Sequence, residues 1–479
     1  MLKHNRRLLA SILAILLLIG IILSGCSSHA QSSGDWENQV IYFVMTDRFC
    51  DGDTSNDSDV NKADPLAYHG GDLQGIIDKL DYIKKLGATA IWITPVVDNE
   101  DGGYHGYWAY DFRKVDEHLG DMAKLKELVN KAHKKGIKVI LDMVFNHTGY
   151  KSPWLSDPTK NDWFHPKMDI ANYNDQQQVE NGWLSGLPDL NQSNPEVEKY
   201  LLDTAMYWID NTGIDGFRLD TVRHVPKEFW EKLSKTIKAK YPNFFLLGEV
   251  FANDPVYLSG YQDVGINSIT NYPLYYAMND VFAKGESPSK VHNVVQMEGS
   301  IFKNTDILGN FIDNHDVPRF LDQAGENGID KLKAALTYLM TAKGVPIIYY
   351  GTEVPLQGGA DPDNRRDMDW TQSPQLADYI KKLSDIRLSD EVFTHGEYIP
   401  LSNDKAVAFI RSYEEHAAIV VINNKDAETD ITLNLPNDIS LKERTIRDRL
   451  GNAPDIRIEQ GKIYLKLGPY ESGIYIAGD

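Results

Sequence analysis

The sequence predicts an α/β protein built on a closed (β/α)8 TIM barrel, with a small domain inserted after the third strand and an antiparallel β-sandwich at the C-terminal end. Three observations predict it. Apolar runs of strand length alternate about eight times with amphipathic stretches of helical period, the pattern of parallel strands covered on both faces. Residues 148–190 break the alternation and show no period of their own. From about residue 392 the runs become short and alternating, bounded by Asn, Asp and Gly, which reads as an all-β domain.

In chain order, strands are expected over residues 40–45, 88–94, 137–145, 214–219, 244–250, 269–272, 307–312 and 345–350. Helices are expected over 73–86, 122–135, 195–211, 226–240, 288–303, 329–343 and 375–388, with a poorly defined one between 250 and 269. The barrel therefore takes residues 36–147 and 191–391, the insertion 148–190 and the sandwich 392–479. Ahead of them, Lys3, Arg6 and Arg7 precede an apolar run over 8–23 that closes on Leu23-Ser24-Gly25-Cys26, the layout of a secretory signal. The run is short for a bilayer span. The tetrapeptide resembles the lipobox of bacterial lipoproteins. That resemblance implies a signal peptide over 1–25, a lipid on Cys26, a tether over 26–35, and attachment to the outer face of a bacterial membrane.

Among 479 residues, 49 Lys and Arg stand against 69 Asp and Glu, for a net charge of -20. Such a surface repels phosphate backbones and excludes nucleic acid as a partner, while it suits a neutral substrate or bound cations. Two cysteines cannot form a disulfide framework.

Active sites of such barrels lie at the C-terminal ends of the strands, so polar residues closing apolar strands are the candidates. They are Asp142 and Asn146-His147 in DMVFNH, Arg218 and Asp220 in GFRLD, Glu249 in LLGEV, and His315-Asp316 in FIDNHD. Any one could be a polar cap that begins a loop. Several on separate strands converge on one opening, and carboxylates without Cys or clustered His point to glycoside hydrolysis.

These motifs, in order with LPDLN, resemble the shared regions of the α-amylase family, glycoside hydrolase family 13, from YHGYW at Tyr104 to DPDNR ending at Arg365. The resemblance implies retaining endo-hydrolysis of α-1,4-glucosidic bonds in starch and maltodextrins. Asp220 would be the nucleophile, Glu249 the general acid/base and Asp316 the transition-state stabiliser. It also implies sugar contacts from Tyr107, His147, Arg218, Arg223, His224, His315, Asp361 and Arg365. Calcium is implied at Asn146, Asp189 and the His224 carbonyl. A second calcium is implied in the loop of Asp51, Asp53, Asn56, Asp57, Gly70 and Asp72. Arg223 departs from the Lys common in α-amylases. Ser185 stands where cyclodextrin-forming relatives carry a bulky aromatic, which implies little cyclisation. A catalytically silent barrel of the same fold is one alternative, and keeping all three carboxylates argues against it; a sugar-capturing lipoprotein is another, and release of reducing ends from starch separates enzyme from binder.

Overall fold

A computed structural model describes residues 35–436 and 445–477; the leader, Cys26 and nearly all of the tether lie outside the described residues. Eight parallel strands form the central sheet: β1 (Ile41–Val44), β2 (Ala90–Ile93), β3 (Lys138–Met143), β4 (Gly216–Leu219), β5 (Phe245–Gly248), β6 (Ser268–Ile269), β7 (Gly309–Asn310) and β8 (Val345–Tyr349). Their spatial order is β6-β5-β4-β3-β2-β1-β8-β7, and a parallel bridge between Thr270 and Gly309 closes the ring. Ile41 pairs with Ala90 on one side and Ile347 on the other, so β1 is bonded along both edges. Val, Ile and Leu runs suit this position because both faces of each strand are covered. Inside the barrel Phe43 stacks between Trp92 (centroids 3.7 Å apart) and Tyr349 (5.1 Å), which closes the floor beneath the strand ends.

The outer helices begin where short polar side chains can cap them. Asp72 accepts from Gly75 N ahead of Leu73–Lys85, and Asp121 accepts from Lys124 N ahead of Met122–Lys134. Asn194, followed by Pro195, starts Pro195–Thr212, and Gly213 ends it at φ 71°.

Four elements differ from the sequence expectation. The sixth strand is only two residues long, because the Asn271 side chain accepts from Leu274 N and, with Pro273, starts a helix over Tyr272–Met278. The seventh strand is equally short. An added Cβ at Gly309 would sit 3.0 Å from the Cδ1 atoms of Ile347 and Leu247, so any larger residue there would have to push these side chains aside. The poorly defined helix is one turn, Pro255–Ser259. An antiparallel ribbon, Val97–Asn99 with Ala109–Val115, was not foreseen.

The inserted segment holds short turns and one helix, Gln176–Asn181, around an aromatic knot in which Trp154 packs on Phe112, Trp163 and Tyr200. An antiparallel bridge between His147 and Asp189 ties its two ends together.

At the C-terminal end, β9 (Glu397–Leu401), β10 (Ala406–Tyr413), β11 (His416–Asn423) and β16 (Ser472–Ala477) form one sheet. The other contains β12 (Thr429–Asn434), β13 (Thr445–Ile446), β14 (Ile456–Glu459) and β15 (Lys462–Leu467). Arg411, fully buried, fastens this domain to the barrel by donating to the carbonyls of Thr341 and Gly396. Among the described residues no helix is long and apolar enough to cross a membrane.

Candidate active site

The two-residue period of a strand turns Arg218 and Asp220 to the same side of β4 and its extension. Register pairs Asp142 on β3 with Arg218. Arg218 is buried among carboxylates: Nη1 lies 2.7 Å from Asp220 Oδ1 and 3.1 Å from Asp142 Oδ1, and Nη2 lies 3.1 Å from Glu249 Oε2. Removing any one of these carboxylates still leaves the guanidinium paired. Asp142 also accepts from Trp92 Nε1 (3.1 Å) and Tyr107 OH (2.8 Å), so it acts as a fixed support behind the arginine.

Glu249 follows β5 directly, and its Oε2 accepts from Thr221 N at 2.9 Å. Thr221 holds φ 48°, a left-handed conformation that costs a β-branched residue roughly 1–3 kcal/mol and here aims that N–H at the carboxyl. Burial pushes Glu249 up to about 8, with Asp220 and Asp316 adding to the rise and Arg218 opposing it. Desolvation is the larger cause. Burial also opposes ionisation of Asp316, but His315, Arg365 and Arg218 outweigh it and hold this carboxyl below its ordinary value. Asp142 is pushed up to about 7 by burial against the pull of Arg218. The carboxyls thus diverge in affinity for protons although they share one cleft, the condition for dividing acid and base roles.

The cleft has a volume of about 700 Å³, and its lining includes Asp220, Glu249 and Asp316 with Tyr107, His147, Arg223, His224, His315, Asp361 and Arg365. Arg218 lies beneath that lining. Tyr107 stacks on His315 (5.4 Å, 15°) and its hydroxyl meets His315 Nε2 at 2.9 Å. His147 Nε2 is 3.1 Å from the Tyr107 carbonyl. Burial drives His315 and His224 down to about 3 and lowers His147, so all three imidazoles are neutral at pH 7 and can both give and accept hydrogen bonds. At the other end Arg365 joins Asp361 (3.2 Å) to Asp316 (3.4 Å).

Arg223 differs from a side chain reaching freely into the cleft: both of its terminal nitrogens donate to loop carbonyls. Ser185 lines the cleft at φ 53°, and its carbonyl accepts from Tyr150 OH at 3.3 Å. Sequence reasoning did not single out Tyr150, Tyr173, Phe251 or His105, which also line it. Phe251 could have been found as the second residue beyond Glu249, whereas the insertion around Tyr173 has no period to place it.

The cation candidates fall into two groups. Asn146 and Asp189 are both fully buried, and an Oδ1 of each has no hydrogen-bond partner. The other Asp189 oxygen meets His165 Nδ1 at 2.6 Å, and burial pushes the carboxyl up to about 7. Two orphaned acceptor oxygens on a buried amide and carboxylate are a donor set suited to a hard cation. In the loop after β1, Asn56 Oδ1 and Asp57 Oδ1 are shielded and unpartnered. Gly70 (φ 89°) allows close approach, since a Cβ there would meet Asp57 Oδ1 at 2.8 Å. Asp72 differs: its two oxygens accept from Gly52, Asp53 and Gly75 N, so it already shapes the loop and caps the helix.

The family described as Alpha amylase, catalytic domain, matches residues 43–387. The chain belongs to that family. As a glycoside hydrolase of the alpha-amylase family it also carries, over residues 397–474, a match to Maltogenic Amylase, C-terminal domain. The crystal structure of an Anoxybacillus alpha-amylase is 46% identical with TM-score 0.88, covering 92% of this chain and 98% of that one. An alpha-amylase from Geobacillus thermoleovorans, complexed with acarbose, is 44% identical with TM-score 0.87, covering 93% of this chain and 99% of its own. A cyclomaltodextrinase of Thermoanaerobacter pseudethanolicus is 38% identical over 84% of this chain and 72% of its own length. The Beta/alpha-amylase of Paenibacillus polymyxa is 40% identical over 95% of this chain, which spans only 39% of that protein.

Proposed function

We propose that this alpha-amylase family hydrolase cleaves α-1,4-glucosidic bonds inside starch and maltodextrins with retention of configuration. The carrying observation is that two nitrogens of one guanidinium hold Asp220 and Glu249 at 2.7 and 3.1 Å. Carboxyls tied to one planar fork stand close together, as in a retaining pair spaced about 5–5.5 Å, and leave little room for the water an inverting enzyme places between them. Asp220, ion-paired to Arg218, attacks the anomeric carbon. Glu249, protonated at neutral pH, gives its proton to the leaving oxygen and later takes one from water. Asp316, held ionised beside Arg365, stabilises positive charge at the ring. Tyr107 supplies a stacking face, and His147 and His315 are placed to bond sugar hydroxyls.

The first test is product anomer, read by NMR within the first turnovers on maltohexaose. Initial α-anomer is expected, and initial β-anomer would exclude Asp220 as a nucleophile. A second reading, preference for rings or short chains, is favoured by the kinship with cyclomaltodextrinase and with the maltogenic C-terminal domain. A timed product profile on starch, pullulan and cyclodextrins separates the two.

Calcium fits the orphaned oxygens of Asn146 and Asp189 and those of Asn56 and Asp57, and the family resemblance adds the His224 carbonyl as a third ligand at the first of these sites. When bound, it supplies charge compensation that fixes the insertion and the loop; it takes no part in bond cleavage. An ion bound only by the folded state stabilises it by about 2.7 kcal/mol at a hundredfold excess over Kd. For a chain of this size that is roughly 3 °C in Tm. Chelator should therefore lower Tm by about that amount or more, and Asn146→Ala with Asp189→Ala should shrink the difference. Identical melting curves with calcium and with chelator would remove calcium from the proposal. Attachment through an acylated Cys26 completes the reading of a surface-tethered amylase, and it rests on the leader sequence alone.

A further inference from the structure

Arg223 commits both terminal nitrogens of its guanidinium to the protein. Nη1 donates to the Phe251 carbonyl at 3.0 Å and Nη2 to the Tyr173 carbonyl at 2.8 Å. One planar group therefore bridges the insertion, which carries Tyr173, and the loop after β5, which carries Phe251. The bridge is braced from behind. The Arg223 carbonyl accepts from Gln176 Nε2 (2.9 Å), Gln176 Oε1 accepts from Tyr257 OH (2.7 Å), and the guanidinium carbon lies 5.5 Å from the centre of the Tyr257 ring. Next door, His224 Nδ1 meets the Val179 carbonyl at 3.2 Å, a second stitch from the same turn to the insertion.

The two residues held in this way are aromatic and accessible. Tyr173 is 48% and Phe251 45% exposed, and both line the cleft. Phe251 stands two residues beyond Glu249, the group that protonates the leaving oxygen, so these rings flank the leaving-group side. Asp361 and Arg365 mark the opposite end.

We propose that Arg223 is a positioning residue: it latches Tyr173 and Phe251 at a fixed separation and so sets the aperture through which a sugar or a water reaches the glycosyl-enzyme. The latch needs a fork. A lysine presents one point charge on a flexible stem and cannot hold two divergent carbonyls with the same geometry. Releasing it lets the insertion and the β5 loop drift apart, which weakens aromatic contact with sugar units on the leaving-group side and favours water as acceptor. Chemistry at the anomeric carbon depends on Asp220, Glu249 and Asp316, none of which touches this latch.

The inference rests on the glycosidase reading, and the experiment keeps the two apart. Arg223→Lys, Tyr173→Ala and the double variant are compared on α-maltosyl fluoride, whose leaving group reaches no aromatic ring, and on maltohexaose, whose leaving portion does. The expected result for Arg223→Lys is a loss in kcat/KM on maltohexaose at least tenfold larger than the loss on the fluoride. The ratio of transfer to hydrolysis, measured with added maltose, should fall severalfold. In the Tyr173→Ala background the lysine change should add less than half of its effect in the parent, because the latch then has one ring fewer to place. Equal losses on the two substrates, or full additivity with Tyr173→Ala, would overturn the latch and leave Arg223 as a general support or a direct sugar contact. An unmodified enzyme inactive on the fluoride would instead count against the glycosidase reading.

Discussion

Asp220→Asn is expected to lower kcat by about 10⁴-fold or more on every α-glucan, because it removes the atom that forms the covalent bond and leaves the rest of the cleft in place. The substitution is nearly isosteric. The amide oxygen can still accept from Arg218, which retains Asp142 at 3.1 Å, so the guanidinium is not stranded. The melting midpoint should therefore move by only a few degrees while activity disappears. Loss of activity together with loss of folding would instead mark Asp220 as a structural partner of Arg218. A folded variant retaining more than about one per cent of parental turnover would exclude nucleophilic attack by this carboxylate. Measuring the release of 4-nitrophenol from an aryl maltoside beside reducing ends from starch guards against a change confined to long substrates.

The parts of this site that were legible in the sequence share a physical cause. Asp142 and Arg218 sit near the C-terminal ends of apolar strands and Asp220 and Glu249 follow such strands directly, and burial on both faces makes these strands visible without neighbours to compare. The family motifs added the roles. The sixth and seventh strands were readable only in outline, because two residues carry too little periodicity and the deciding interactions are the Asn271 cap and the tight contact at Gly309. Tyr150 and Tyr173 were hidden for a related reason: the insertion is held by turns, aromatic packing and cross-links to the turn after β4, none of which leaves a repeating pattern. Arg223 was visible as a residue but its protein partners were not, since nothing local to it announces that they are carbonyls 28 and 50 residues away. The leader falls outside the described residues, so its reading rests on sequence alone.

Glu249 carries the second large effect, and the sign of its pH dependence follows from its environment. An ordinary glutamate, with a pKa of about 4.3, would be almost wholly ionised at neutrality and useless as an acid. Burial, with Asp220 and Asp316 nearby, pushes this one up to about 8 despite the Arg218 contact. The protonated form is the competent one, so kcat/KM should fall as pH rises through that value, approaching tenfold per pH unit on the alkaline side. Glu249→Gln cannot give a proton, and its kcat should fall by about 10²–10⁴-fold on maltodextrins. The loss must depend on the leaving group. Fluoride departs with little protonation, so α-maltosyl fluoride should keep much more of its glycosylation rate, and the alkaline limb seen with maltohexaose should be absent from the variant. If Glu249→Gln lowers both substrates equally, or keeps the same alkaline limb, the proton comes from another group. The remaining candidates among the cleft carboxyls are poorly suited to replace it: Asp316 is held below its ordinary value by His315, Arg365 and Arg218, and Asp142 is fully buried behind Arg218 and Tyr107, away from any leaving oxygen.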